Sequence, residues 1–111
     1  MRIAIVGSRE YKDLPKVVSY VVALPPDTIV VSGGARGVDQ AAEHAAHTHG
    51  LDCIICLADW ELHGKKAGYL RNIDIVNNAD KLVAFWDGKS KGTQHSINLA
   101  KSKGIPVEIY Q

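Results

Sequence analysis

The sequence predicts a doubly wound α/β domain on a five-stranded, mainly parallel sheet. Three observations point there. Short apolar runs alternate with segments of helical period along the whole chain. The runs are apolar at nearly every position instead of every second one, as in strands covered on both faces. Turns carrying glycine and small polar residues follow the strands. Strands joined by helical crossovers run parallel, and right-handed crossovers place helices on both faces of the sheet.

Each element has its own signal. Arg2 to Val6 is a central strand closed by Gly7-Ser8. Leu14 to Leu24 places Leu14, Val17, Val18, Val21, Val22 and Leu24 at helical spacing, and Pro25-Pro26 stops it. Thr28 to Val31 is the second strand. Arg36 to His49 is the second helix, ended by Gly50. Leu51 to Leu57 is the third strand. Ala58 to Lys66 shows no period and reads as a loop, followed by a helix from Ala67 to Asn78. Lys81 to Trp86 is the fourth strand, Thr93 to Lys103 a helix closed by Gly104, and Pro106 to Tyr110 the fifth strand.

A length of 111 residues leaves room for one domain, taken as residues 1–111, with one core. The net charge of +1 gives no overall field toward nucleic acid or a membrane surface. No apolar stretch is long enough to span a bilayer, and Met1-Arg2 leads directly into a strand, so the expected location is the cytoplasm. Cys53 and Cys56 are three apart in an extended run. They therefore point to opposite faces and read as small buried hydrophobes rather than a disulfide or metal pair.

The most informative stretch is Ser32-Gly33-Gly34-Ala35-Arg36-Gly37-Val38-Asp39, between a strand and a helix. Glycines let backbone approach a phosphate, and the first free amides of a helix point at it. Arg36 adds a forked set of donors. Two more turns follow strand ends: Gly7-Ser8-Arg9, and Asp87-Gly88-Lys89-Ser90-Lys91-Gly92-Thr93. The segment after the third strand brings Arg71 and Asn72 to the same edge. Seven of the 13 basic residues (Arg9, Arg36, Lys65, Lys66, Arg71, Lys89, Lys91) should gather there, enough to focus a local positive potential. In such sheets ligands sit beyond the carboxyl ends of the strands, where the strand order reverses.

Plainer roles compete at several positions. Ser8 is either a phosphate ligand or a turn hydroxyl. Asp39 is either a ribose contact or a carboxylate that suits a helix start. Ser90 and Thr93 suit helix capping, which is compatible with phosphate contact. His44, His47 and His49 lack a carboxylate or Cys to complete a metal site, and Asp59, Glu61 and His63 are read as loop residues, so no metal is expected. Trp60 reads as a packing anchor. The first glycine turn lacks the Lys-Ser/Thr pair of a P-loop.

Four segments together resemble the YspA-core branch of the SLOG superfamily, which joins DprA/SMF and LOG-type proteins. They are Val6-Gly7-Ser8-Arg9; Ser32 to Asp39; Asp59-Trp60 through Gly64-Lys65-Lys66-Ala67-Gly68-Tyr69-Leu70-Arg71-Asn72; and Ala84-Phe85-Trp86-Asp87-Gly88 through Gly92-Thr93. The resemblance implies a Rossmann-like fold whose glycine turns bind nucleotides or nucleotide-derived molecules. LOG proteins are phosphoribohydrolases that pair an Arg on this helix with a Glu shortly after the last Gly-Thr. Arg71 is similar to that Arg, but Gly92-Thr93 is followed here by Gln94-His95-Ser96-Ile97, with no carboxylate. The DprA relatives bind single-stranded DNA; this chain matches only their core and offers two Trp, four Tyr and one Phe for stacking.

The reading is a binding module, a sensor or sequestering protein for a nucleotide or ADP-ribose-like molecule, with no cofactor required and a homo-oligomeric state. Gly7, Ser8, Arg9, Ser32, Gly33, Gly34, Ala35, Arg36, Gly37, Asp39, Arg71, Asn72, Asp87, Gly88, Ser90, Gly92 and Thr93 are the candidate ligand-binding residues. A nucleotide hydrolase is the first alternative, with Arg71, Asp39, Asp87 and His95 as candidate groups. A single-stranded DNA-binding accessory protein is the second.

Overall fold

The computed structural model describes residues 1–111. The order is β1 (Arg2–Gly7), α1 (Leu14–Val22), β2 (Ile29–Ser32), α2 (Val38–Thr48), β3 (Asp52–Ile55), α3 (Trp60–His63), a 3-10 turn (Gly64–Lys66), α4 (Ala67–Asn77), β4 (Lys81–Phe85), α5 (Lys91–Lys103) and β5 (Val107–Tyr110). The strands lie in the order β3-β2-β1-β4-β5, and every neighbouring pair is parallel. This is the doubly wound, Rossmann-like α/β architecture.

Period-two alternation divides the central strands between two cores. Ile3 and Ile5 of β1, with Val83 and Phe85 of β4, join Val17 and Val21 of α1 and Val38, Ala42 and Ala45 of α2. Ala4, Val6, Leu82 and Ala84 turn to the other face and meet Ile75 and Val76 of α4 and Ile97 and Ala100 of α5. The unbroken apolar runs of β1 and β4 thus reflect helices on both sides.

Element ends differ from the sequence reading where a cap decides them. Gly37 has φ +80°, which no helix accommodates, so α2 starts at Val38 and not at Arg36. The Ser90 hydroxyl accepts from the amide of Thr93 at 3.4 Å, so α5 starts at Lys91, before Thr93. Asp13 caps α1, accepting from the amide of Lys16 at 3.2 Å, and the helix ends at Val22 instead of Leu24. The stretch from Ala58 to Lys66 is not a plain loop. Asp59 accepts from the amide of Leu62 at 3.1 Å and nucleates the single turn of α3.

The third strand also needs correction. Cys53 packs against the first core and Cys56 against the second, on opposite faces as their spacing requires. Both are only half-buried, because β3 is an edge strand with neighbours on one side alone.

Phe85, the last residue of β4, anchors the sheet end that carries the loops. It is fully buried, stacks on Tyr110 at 5.3 Å between ring centroids, and meets Tyr11 and Tyr20 edge-on. Its carbonyl accepts from the amide of Ser8 at 3.0 Å, tying the exits of β1 and β4 together. Phe85→Ala should lower unfolding stability by about 3–5 kcal/mol through the cavity it leaves. Phe85→Leu should lose clearly less in the same urea titration. Equal losses would show that cavity volume is not the cause.

Candidate functional site

The chain runs β1 to β2 to β3 toward one sheet edge, then β4 to β5 toward the other. The loops leaving β1 and β4 therefore diverge, and a crevice opens between them at the carboxyl ends of the strands. A cavity of about 600 Å³ lies there. Gly7, Ser8, Arg9, Ala35, Arg36, Asp39, Arg71, Asn72, Asp87, Ser90, Gly92 and Thr93 line it. Of the other candidates, Ser32, Gly33, Gly34, Gly37, Gly88 and His95 lie outside the lining. Trp60, Gly68 and Tyr69, which the sequence reading did not place among binding residues, contribute a further wall.

Gly33 is glycine because two side chains press on it. A Cβ there would stand 2.8 Å from Cδ of Arg71 and 2.9 Å from Oδ2 of Asp39. Arg71 uses this approach to donate from Nη1 to the Gly33 carbonyl at 2.8 Å. The same turn is filled by the chain's own carboxylates. Gly34 donates its amide to Oε2 of Glu43 at 3.0 Å, and the Ser32 hydroxyl donates to the same oxygen at 2.6 Å. Ala35 donates its amide to Oδ2 of Asp39 at 3.2 Å. The Gly34 and Ala35 amides are therefore satisfied within the protein, and the expectation that they stand open toward a phosphate is corrected. Glu43 is the residue the sequence reading overlooked. Its place one helical turn after Asp39, on the same face of α2, was the available signal.

A second network crosses the cavity floor. Buried Asn72 accepts from Nε of Arg71 at 3.3 Å and donates from Nδ2 to the Gly92 carbonyl at 3.2 Å. The same Nδ2 faces Nδ1 of His95 at 3.2 Å. Burial holds the His95 pKa below its ordinary value. Arg71 and Asn72 thus join the turn after β2 to the turn after β4.

The turn after β4 builds itself. Asp87 accepts from the amides of Lys89 and Ser90 at 2.8 and 2.9 Å, which hold its carboxyl below the usual carboxylate range. The Asp87 amide donates to the Ser8 hydroxyl at 3.1 Å. Thr93 donates its hydroxyl to Oγ of Ser90 at 3.1 Å, and Nε1 of Trp86 donates to the Ser90 carbonyl at 3.0 Å. Ser8, Asp87, Ser90 and Thr93 are therefore framework as well as lining. The amides of Lys91 and Gly92, the first two of α5, donate to no group of the chain, and Gly92 lies on the cavity wall with open space beside it.

Charge at the cavity is mixed but cationic. Arg9, Arg36, Lys65, Arg71 and Lys89 line it, against Glu10, Asp39 and Asp87; Lys66 and Lys91 of the expected cluster do not reach it. Arg36 pairs with Glu10 at 3.1 Å, both largely exposed. Trp60 is not a core anchor: it is 52% exposed and belongs to neither core. No three of His, Cys, Asp and Glu come close enough to share a metal ion.

Asp39 is the one buried carboxylate on the lining. Burial pushes its pKa up to about 6 from 3.8, against the opposing pull of the Ala35 amide and Arg71. Between these values the folded chain holds a proton that the unfolded chain has released. Stability should therefore fall as pH rises from about 4 to 6, by about 3 kcal/mol in all, and stay lower above. Asp39→Asn removes this titration. It should match the parent near pH 4 and exceed it at pH 7 in urea unfolding; parallel pH profiles for the two proteins would contradict the assignment.

The family model described as the YspA, cpYpsA-related SLOG family matches residues 1–63. Gene 61 protein of Mycobacterium phage D29 is 43% identical over 116 residues, covering 96% of this chain and 93% of that protein. Among solved structures, DNA processing protein A (DprA) from Streptococcus pneumoniae superposes with a TM-score of 0.86 at 20% identity, over 97% of this chain and 49% of that one. DprA from Helicobacter pylori, described for its single-stranded DNA binding mode, gives a TM-score of 0.73 at 20% identity, over 98% of this chain and 64% of that one. The chain thus spans about half of the first DprA and under two thirds of the second, and the likeness to both is one of fold. With the family match over its first half and a near full-length relative, the chain belongs to the YspA, cpYpsA-related SLOG family.

Proposed function

We propose that the cavity binds a nucleotide or nucleotide-derived small molecule, and that the protein acts as a sensor or sequestering module for it. The observation that carries this reading is the convergence of five cationic side chains, from the segments after all four of the first strands of the sheet, on one cavity at the strand-order switch. The net charge of the chain is only +1, so the concentration is local. The first turn of α5 adds the uncommitted amide of Gly92, on the cavity lining at the positive end of a helix dipole. A volume of about 600 Å³ suits a ligand of nucleotide size. The phosphates would meet side chains and the Gly92 amide, because the amides of Gly34 and Ala35 are already engaged.

A second reading, hydrolysis of the bound molecule, is favoured by Asp39 alone. It is buried on the cavity lining with a pKa raised to about 6, as suits a general acid or base. Asp87 and His95 are less suited. Asp87 is committed to two turn amides, and His95 stands behind Asn72.

Calorimetry with mono-, di- and cyclic nucleotides and ADP-ribose should find at least one ligand. Lys89→Gln and Arg9→Gln should each weaken it about tenfold, the effect of losing one charge-assisted contact. Silence across the panel from folded protein would refute the reading. Release of free base or phosphate, abolished by Asp39→Asn, would move the assignment to the hydrolase. Binding confined to single-stranded oligonucleotides, falling steeply with salt, would move it to nucleic acid.

A further inference from the structure

The lining is divided by polarity. It has five hydrophobic members, of which Val6 and Ile75 are buried in the core and Ala35 is small. Trp60 and Tyr69 are therefore its two large apolar groups with free surface, each 52% exposed. Both are held from behind. The six-membered ring of Trp60 lies over Gly68, where an added Cβ would stand 3.2 Å from it. Tyr69 meets the ring of His95 edge-on at 4.8 Å, and Asn72 in turn holds His95. Neither the indole N–H of Trp60 nor the hydroxyl of Tyr69 bonds to the protein.

We infer that the Trp60–Tyr69 wall is a nucleobase platform, so that the ligand is recognised through a heteroaromatic base and not through ribose phosphate alone. The inference rests on the reading of the cavity as a nucleotide site. Two half-exposed aromatic rings on the lining of an otherwise charged, hydrogen-bonding cavity fit a molecule with one planar aromatic part and one anionic part. Aromatic side chains accept any base face, and the free indole N–H and phenol add polar contacts at the base edge. Gly68 lets the indole lie close: a side chain there would crowd the ring and shift it from its seat.

The test compares ligands with and without a base. Adenosine, guanosine, cytidine and uridine 5′-monophosphates and a short oligothymidylate are titrated beside ribose 5-phosphate, by tryptophan fluorescence and calorimetry. A binding nucleotide should quench the fluorescence of the native chain, and Trp60→Phe should abolish the quench while keeping most of the affinity. Trp60→Ala should weaken nucleotide binding about fivefold or more and leave ribose 5-phosphate unchanged. The oligothymidylate arm separates a free nucleotide from a strand as the source of the base. Ribose 5-phosphate binding as tightly as the nucleotides, with Trp60→Ala silent on both, would overturn the platform and leave the anion site standing. No binding by any probe would overturn the parent reading and the platform with it.

Discussion

The handedness of the crossovers governs this molecule. Parallel strands need long connections; the order reverses at the β1–β4 pair, and right-handed crossovers on either side of that reversal place α1 and α2 on one sheet face and α4 and α5 on the other. The loops leaving β1 and β4 are thereby driven apart above adjacent strands, and a crevice is unavoidable. The two cores then fix its walls. Phe85 and its tyrosine neighbours support one sheet face beneath the loops, while Ile75 and Ile97 hold α4 and α5 against the other. Burial of apolar surface in two layers thus holds polar loops where they would not otherwise remain.

Within that frame the glycine turn after β2 is an internally satisfied anion site. A turn whose amides face a helix start attracts negative charge, and the chain supplies it from Asp39 and Glu43 of the same helix. This arrangement has an electrostatic cost. Asp39 is desolvated and its charged form is disfavoured, with Arg71 and the Ala35 amide offsetting only part of the penalty. Arg71 also accounts for Gly33, since the guanidinium reaches the carbonyl only over a residue without a side chain. One charged network therefore couples the glycine loop to α4. Asn72 carries the coupling on to α5, and the cavity floor is held as a unit rather than by independent loops.

The family assignment and the geometry constrain different things. Family membership and the DprA superpositions establish the fold. The geometry describes the lining of this chain: five cationic side chains, two half-exposed aromatic rings, and a turn after β4 tied by its own Asp87 and Ser90.

Local chemistry alone determined much of this. Unbroken apolar runs named β1 and β4 as covered strands, alternation with helical segments implied parallel pairing, and three turns at strand ends located the crevice. The residues read from those turns contribute most of the lining for the same reason: short turns at strand ends leave the backbone few ways to go. Three features came only with the tertiary structure. The Asp59 cap that nucleates α3 competes with a stretch of no period, and its outcome depends on where the chain must travel to reach α4. Glu43 reaches Gly34 because α2 packs back against β2; the i+4 spacing from Asp39 puts it on the right helix face, but only folding brings that face to the Gly34 amide. Trp60 is buried or exposed according to what packs on it, and its ring rests over Gly68 with half of its surface left free on the cavity lining. Periodicity and turn chemistry are local and can be read along the chain, whereas who satisfies an amide or covers a ring depends on neighbours brought together by folding.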